Sequence, residues 1–134
     1  MRTAALPLLI AVTAVAGCSS SSASGLKQPA VSAFTAGTCR VAAPDILQTG
    51  RAAYRLPGKG QPSSSVLADL ASAQGRLRQL EPGAEPAYRP ALSKLIVTVG
   101  LIRLSSGVGS YQPAQATTLR ADYTAAVKTC TQRQ

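Results

Sequence analysis

Apolar residues recur every three to four positions in four segments of the chain, and breaks rich in proline and glycine separate these segments. This spacing predicts amphipathic α-helices, because side chains three or four positions apart share one face of a helix. The four predicted helices cover about residues 43–56, 64–81, 87–106 and 113–131. Since the connections between them are short, we predict an all-α, up-down four-helix bundle.

The first two predicted helices have recognisable ends. Pro44 and Asp45 suit a first turn, because proline has the required φ and a carboxylate complements the exposed amides. One of the serines at 63–65 caps the second helix, and Gln74 falls on the polar side of that helix. Tyr54, in the first helix, falls on the apolar side, as does Tyr123 in the fourth, and both are expected to pack in the core.

The third predicted helix is the most apolar of the four. Its main stripe is widened by Val97, Leu101 and Leu104. The run 96–99 also fits a strand, but the length of the segment and its 3.6-residue period favour a helix. A stripe this broad predicts a central helix that packs on more than one side.

The amino-terminal segment has the features of an export signal. Arg2 precedes an apolar run over residues 6–16, which is within the ~7–15 residues of a signal peptide and well short of the ~20 of a transmembrane helix. The run ends in Val15-Ala16-Gly17-Cys18, which resembles the lipobox of bacterial lipoproteins. The resemblance implies diacylglyceryl transfer to the Cys18 thiol, cleavage after Gly17, optional acylation of the new amino group, and a place on the outer face of the cell membrane.

Ordinary signal peptidase is the alternative. Ala14-Val15-Ala16 fits its A-x-A rule. Cleavage there would release a soluble secreted protein that begins at Gly17 and carries a free Cys18.

The cysteine count favours lipidation. The chain has three cysteines, and lipidation of Cys18 leaves Cys39 and Cys130 as an even pair in an oxidising compartment. Cys39 precedes the first predicted helix and Cys130 lies near the end of the fourth. These two ends meet in an antiparallel four-helix bundle, so we predict a Cys39–Cys130 disulfide.

The sequence therefore divides into three parts. Residues 1–17 form the signal peptide, residues 18–38 form a lipidated cysteine followed by a disordered Ser/Gly-rich tether, and residues 39–134 form the helical domain.

The formal net charge of +9 raises the question of an anionic partner. Nucleic acid is not expected, because the chain is exported, its basic residues are dispersed, and no aromatic-rich strand offers stacking positions. Anionic head groups or wall polymers suit the predicted location better.

No catalytic or metal site is expected. The chain has no histidine, which excludes the usual triads and most histidine-metal sites. The five acidic residues are expected on exposed faces or at helix ends: Asp45, Asp69, Glu81, Glu85 and Asp122. A carboxylate pair for glycoside cleavage is the one enzymatic alternative. No cofactor is expected apart from the acyl groups on Cys18.

Three functions follow from these features. The leading hypothesis is a non-catalytic binding or scaffolding module that acts on another envelope protein or on wall polymer, with Tyr88, Arg89 and Tyr111 as the candidate partner surface. The second is a small-ligand or lipid carrier with an apolar cavity inside the bundle. The third is a soluble secreted, inhibitor-like helical protein.

Overall fold

The computed structural model describes residues 26–132, which form four long α-helices. These are α1 (Thr38–Arg55), α2 (Ser64–Leu80), α3 (Arg89–Gly107) and α4 (Pro113–Thr131). Short 3-10 helices at Val31–Ala33 and Glu81–Gly83 precede α1 and follow α2. The all-α prediction is confirmed, including a helix where 96–99 also fitted a strand. The signal-peptide and lipobox residues, 1–18, lie outside the described residues.

Neighbouring helices run in opposite directions. Near its end, α1 contacts the first turns of α2, where Arg55 donates 2.7 Å to the Asp69 carboxylate. At the other end of the pair, Arg76 of α2 forms an ion pair with Asp45 of α1. Since α1 and α3 each pack against α2 and α4, the four helices form a square in which α1 and α3 occupy opposite corners. The predicted up-down bundle is confirmed.

Aliphatic side chains from all four helices fill the bundle axis. The largest of them are fully buried: Ile46, Leu70, Leu77, Leu92, Leu95, Ile102 and Leu119. Burial of each such side chain contributes about 1.5–3 kcal/mol. The hydrophobic stripes of the four segments therefore drive the assembly.

The first helix begins five residues earlier than predicted. Gly37 adopts a φ of 92° immediately before Thr38, a conformation that favours glycine. The carboxylate of Glu85, from the loop between α2 and α3, accepts a hydrogen bond from the Thr38 N–H at 3.4 Å. Hydrogen bonds from Thr38 lower the pKa of Glu85. A side chain from a distant loop thus accepts a hydrogen bond at the N-terminus of α1. Because the helix begins at Thr38, Pro44 lies inside it and not in its first turn.

Three polar residues expected on the outside are buried. Asp45 is 5% exposed and pairs with Arg76 instead of capping a first turn. Gln74 is 1% exposed and donates to the Ile96 carbonyl at 2.9 Å. Asp122 is 4% exposed and accepts a hydrogen bond from Thr98. Each of them joins two helices, which is why it lies inside.

The folded domain begins before residue 39. Phe34 is 1% exposed, and Gln28 donates to the Leu47 carbonyl at 2.7 Å and to the Tyr123 hydroxyl at 3.2 Å. Residues 26–37 therefore pack on the bundle, and the predicted boundary of the tether at residue 38 is wrong. Residues 18–25 lie outside the described residues.

The predicted disulfide is present. Cys39 lies in the first turn of α1 and Cys130 in the last turn of α4, with their Cα atoms 5.3 Å apart. The bond spans a sequence separation of 91 residues. Next to it, the Thr35 N–H donates to the Cys130 carbonyl at 2.7 Å, so the amino-terminal segment is held at the same end of the bundle.

Removal of this disulfide is expected to destabilise the domain. In the double variant Cys39→Ala/Cys130→Ala, the free energy of unfolding should fall by roughly 2–5 kcal/mol, because the unfolded chain loses a long cross-link. Urea unfolding followed by circular dichroism measures the change. Reductant should lower the midpoint of the parent protein and leave that of the variant where it is; equal midpoints for the oxidised parent and the variant would contradict the prediction.

Candidate functional site

Four large exposed aliphatic side chains lie in one line along α3 and its C-cap. Val97 is 59% exposed, Leu101 55%, Leu104 67%, and Val108, the C-cap residue, 71%. Their spacing of four, three and four positions places them on one face of the helix. We call these four residues the α3 stripe.

The geometry of the bundle explains why the α3 stripe is exposed. The opposite side of α3, with Leu92, Leu95 and Val99, is fully buried. In a square bundle a helix packs against two neighbours and the common core, so its outer side is left to solvent. The prediction that α3 packs on more than one side is therefore wrong at Val97, Leu101 and Leu104, which widen its apolar stripe but are more than half exposed.

The two cationic side chains of α3 nearest to the α3 stripe each contact a neighbouring helix. The Lys94 ammonium lies 3.3 Å from the carboxylate of Asp122 on α4, and Arg103 donates to Gln74 of α2 at 2.6 Å. The exposed positions of α4 that follow Pro113 are small and uncharged as far as residue 125: Ala114, Thr117, Thr118, Ala121, Thr124 and Ala125. The outer surface of α3 and α4, which we call the α3–α4 face, is thus largely uncharged along the stripe, and the 70% exposed side chain of Lys94 lies at one end of it, three positions before Val97.

A shallow cleft of about 130 Å³ lies beside the α3 stripe. It is lined by Thr98, Leu101, Ile102, Gln115 and Thr118. Its volume is several times the ~30 Å³ that one water molecule occupies, which is enough for the branched end of a leucine. The α3–α4 face therefore combines projecting side chains with a depression that receives one.

The three residues predicted to contact a partner make contacts within the domain instead. Tyr88 is 5% and Tyr111 4% exposed, and the Tyr111 hydroxyl donates to the Pro57 carbonyl at 3.1 Å. Arg89 donates to the Ala84 carbonyl at 2.8 Å. These three residues tie loops to the ends of the bundle. The interpretation of Tyr88 and Tyr111 as an exposed surface is wrong, because both rings fold inward over the core.

The two tyrosines assigned to the core differ from each other. Tyr123 is 4% exposed and lies against Gly50, where any side chain would overlap its ring. Tyr54 is 41% exposed, contrary to prediction, and the Arg120 guanidinium lies 5.1 Å from its ring centre. Leu26 lies with these two rings in a cleft of about 340 Å³ on the α1–α4 side of the domain.

All five carboxylates have structural partners. The pairs are Asp45 with Arg76, Asp69 with Arg55, Glu81 with Ser93, Glu85 with Thr38, and Asp122 with Lys94 and Thr98. Each pair joins two elements of the fold. Among residues 26–132, no group of three or more Cys, Asp or Glu side chains could hold a metal ion.

Within the described part of the chain, no helix has the length and hydropathy that a bilayer span requires. No family model, curated protein or solved structure matches the sequence.

The buried tyrosines are expected to make stability depend on alkaline pH. Burial raises the pKa of Tyr111 and Tyr123 above the ordinary value of 10.0, although the hydrogen bond from Gln28 opposes the effect at Tyr123. Since the native phenols keep their protons longer than the unfolded ones, their contribution is fully present below about pH 10 and is lost as pH rises toward the native pKa.

Urea midpoints measured from about pH 8 to pH 11 report this dependence. The variant Tyr123→Phe should lose less stability over the alkaline range than the parent. Tyr54→Phe removes a phenol at an exposed position and controls for that chemical change. An alkaline decline as steep in Tyr123→Phe as in the parent would rule the explanation out.

Proposed function

We propose that the protein is a membrane-anchored envelope lipoprotein and acts as a non-catalytic binding module, with the α3–α4 face as its binding surface. The α3 stripe carries this proposal: four large aliphatic side chains, each more than half exposed, lie in line on one face of the domain. Contiguous exposed apolar patches on soluble domains commonly mark interaction sites.

The anchor is supported by the amino-terminal sequence and by the disulfide. Val15-Ala16-Gly17-Cys18 resembles a lipobox, and a disulfide fits an oxidising compartment outside the cytoplasm. Two or three acyl chains on Cys18 would hold the protein stably, where a single chain is marginal. Leu26 follows Cys18 by eight residues, which span at most about 28 Å in any conformation. The domain would therefore stay close to the membrane surface.

The attachment point and the α3 stripe lie on different sides of the domain. The described chain enters at Leu26, beside Tyr54 of α1 and Tyr123 of α4. The helix that carries the stripe occupies the corner opposite α1. With the α1–α4 side held toward the bilayer, the adjacent α3–α4 face would point along the membrane surface and remain available to a neighbouring protein.

A non-catalytic role fits the use of the acidic residues. Each of the five carboxylates is engaged with another element of the fold, which gives all of them a structural use. The carrier alternative needs an apolar chamber between the helices. Leu70, Leu92 and Leu119 instead fill the bundle axis with no exposed surface.

The anchor predicts a defined mass for the protein purified from its own host. Intact mass spectrometry should find a chain that begins at Cys18 and carries added acyl groups, and reduction should add only the mass of two hydrogen atoms for the Cys39–Cys130 bond. A Cys18→Ala variant should accumulate with its signal peptide uncleaved. An unlipidated chain that begins at Gly17 would instead establish the soluble secreted alternative.

The binding surface predicts position-dependent crosslinking. A photo-crosslinking residue placed at Leu104 of the full-length protein should give a discrete protein adduct in the envelope on irradiation. The same residue at Val41 is a matched control, because Val41 is 60% exposed but lies on α1, away from the stripe. Equal adducts from both positions, or none from Leu104, would remove the α3–α4 face as a binding surface.

A further inference from the structure

We propose that the partner of the α3–α4 face is a second copy of this chain, packed so that the two α3 helices run antiparallel across a two-fold axis. The inference rests on the proposed function, since it names the partner of the same face. Three features support a second copy as the partner: the spacing of the α3 stripe, the distribution of charge and the size of the face.

The spacing of the α3 stripe is that of a helix-pairing seam. Intervals of four, three and four residues are those of alternating d and a positions in a coiled-coil heptad. The complement of such a seam is another helix with the same spacing. The other large apolar side chains found exposed, Val31, Val41 and Tyr54, do not form a line of this kind. The α3 stripe of a second copy supplies the missing complement.

An antiparallel two-fold arrangement aligns the stripe with itself. The midpoint of the four residues falls between positions 102 and 103, so Val97 meets the partner's Val108 and Leu101 meets the partner's Leu104. A two-fold interface requires such reciprocal pairs. In the second pair, each Leu104 side chain comes next to Leu101 of the opposite copy, which lines the cleft of about 130 Å³.

The charge distribution favours this face and this orientation. The full chain has a net charge of +9, so two copies repel each other, and a face with few charges keeps that repulsion small at contact. Antiparallel packing also separates the two Lys94 side chains along the helix axis by roughly 25 Å, at 1.5 Å per residue. That exceeds a Debye length of about 8 Å at physiological ionic strength. A parallel pair would place the two ammonium groups side by side.

The dimensions of the face suit a modest dimer. α3 has 19 residues and is about 28 Å long. Two neighbouring helices are roughly 18 Å wide, so the flat footprint is on the order of 500 Å² per copy. This approaches the ~800 Å² of accessible surface that each partner contributes to a standard interface. Anchoring of both copies in one membrane would raise their effective concentration and make up for the smaller area.

Lipid and wall polymer fit the face less well than a second copy. A helix that lies in an anionic membrane surface flanks its apolar side with free Lys and Arg. Here Lys94 forms an ion pair with Asp122 and Arg103 donates to Gln74. Carbohydrate recognition relies on aromatic rings and convergent polar groups, whereas the α3 stripe is aliphatic and the exposed positions of α4 after Pro113 are alanine or threonine as far as residue 125.

Disulfide trapping in the full-length protein tests the partner and the orientation together. Val97→Cys and Val108→Cys are placed in separately tagged copies, produced alone and together in the envelope, and examined on non-reducing gels. A disulfide needs Cα atoms about 4.4–6.8 Å apart. We expect a covalent dimer carrying both tags when the two variants are produced together, and none from either variant alone. Val41→Cys, which is as exposed as Val97, paired with Val108→Cys is the matched control and should stay monomeric.

A dimer from each variant alone would indicate parallel packing and overturn the proposal, as would the absence of a dimer from the mixture. The double variant Leu101→Ser/Leu104→Ser gives a second measurement. It should weaken self-association by at least about a hundredfold in sedimentation of the detergent-solubilised protein, while Val41→Ser leaves it unchanged.

The photo-crosslink at Leu104 separates this inference from the proposed function. An adduct of two copies of the chain supports both. An adduct with a different protein, together with a monomeric sedimentation profile, overturns the inference and leaves the binding role standing. The absence of any adduct overturns both.

Discussion

Four helices packed as a square leave each helix with one side that no other helix of the bundle covers. On α1 and α2 that side carries mainly arginine, serine and glutamine, and on α4 it carries alanine and threonine. On α3 it carries Val97, Leu101, Leu104 and Val108. Because a square bundle covers only the inner side of each helix, a helix that is apolar on both sides keeps one apolar side exposed.

The polar residues follow from the same packing. Because the core is aliphatic, carboxylates are stable inside only where a cation or hydroxyl meets them, as at Asp45 with Arg76 and at Asp122 with Lys94 and Thr98. These contacts set which part of one helix faces which part of the next. They also engage Lys94 of α3, whose 70% exposed side chain lies at one end of the α3–α4 face and pairs with Asp122 of α4.

The sequence predicts an element well where its signals are local. The second and fourth helices were located within a residue of their ends, because a serine cap and a proline mark their starts. The start of α1 was missed because its acceptor, Glu85, belongs to a loop 47 residues away. Asp45, Gln74 and Asp122 were placed outside because a polar residue is buried only when its partner exists, and those partners lie on other helices.

The candidate site also depends on contacts between helices, which local sequence signals do not reveal. Hydrophobic periodicity identified Val97, Leu101 and Leu104 as apolar positions of a helix, but periodicity does not state which of two apolar sides the other helices cover. Val108 was assigned to a loop and was missed as a fourth member of the line. The signal available in the sequence was the breadth of the stripe: a bundle of only four helices has no position in which one helix is covered all round.

The exposed stripe also bears on the two alternatives for the amino terminus. A soluble secreted protein would be dilute in the medium, so a small interface formed by four exposed aliphatic side chains would stay unoccupied. Non-specific association through these side chains would compete with the specific contact. A chain held within about 28 Å of a membrane meets its own copies at a much higher effective concentration, so the same interface is filled. A lipid anchor and a self-complementary helix face thus explain each other, because the anchor makes a modest interface sufficient and the interface gives the anchored domain something to bind.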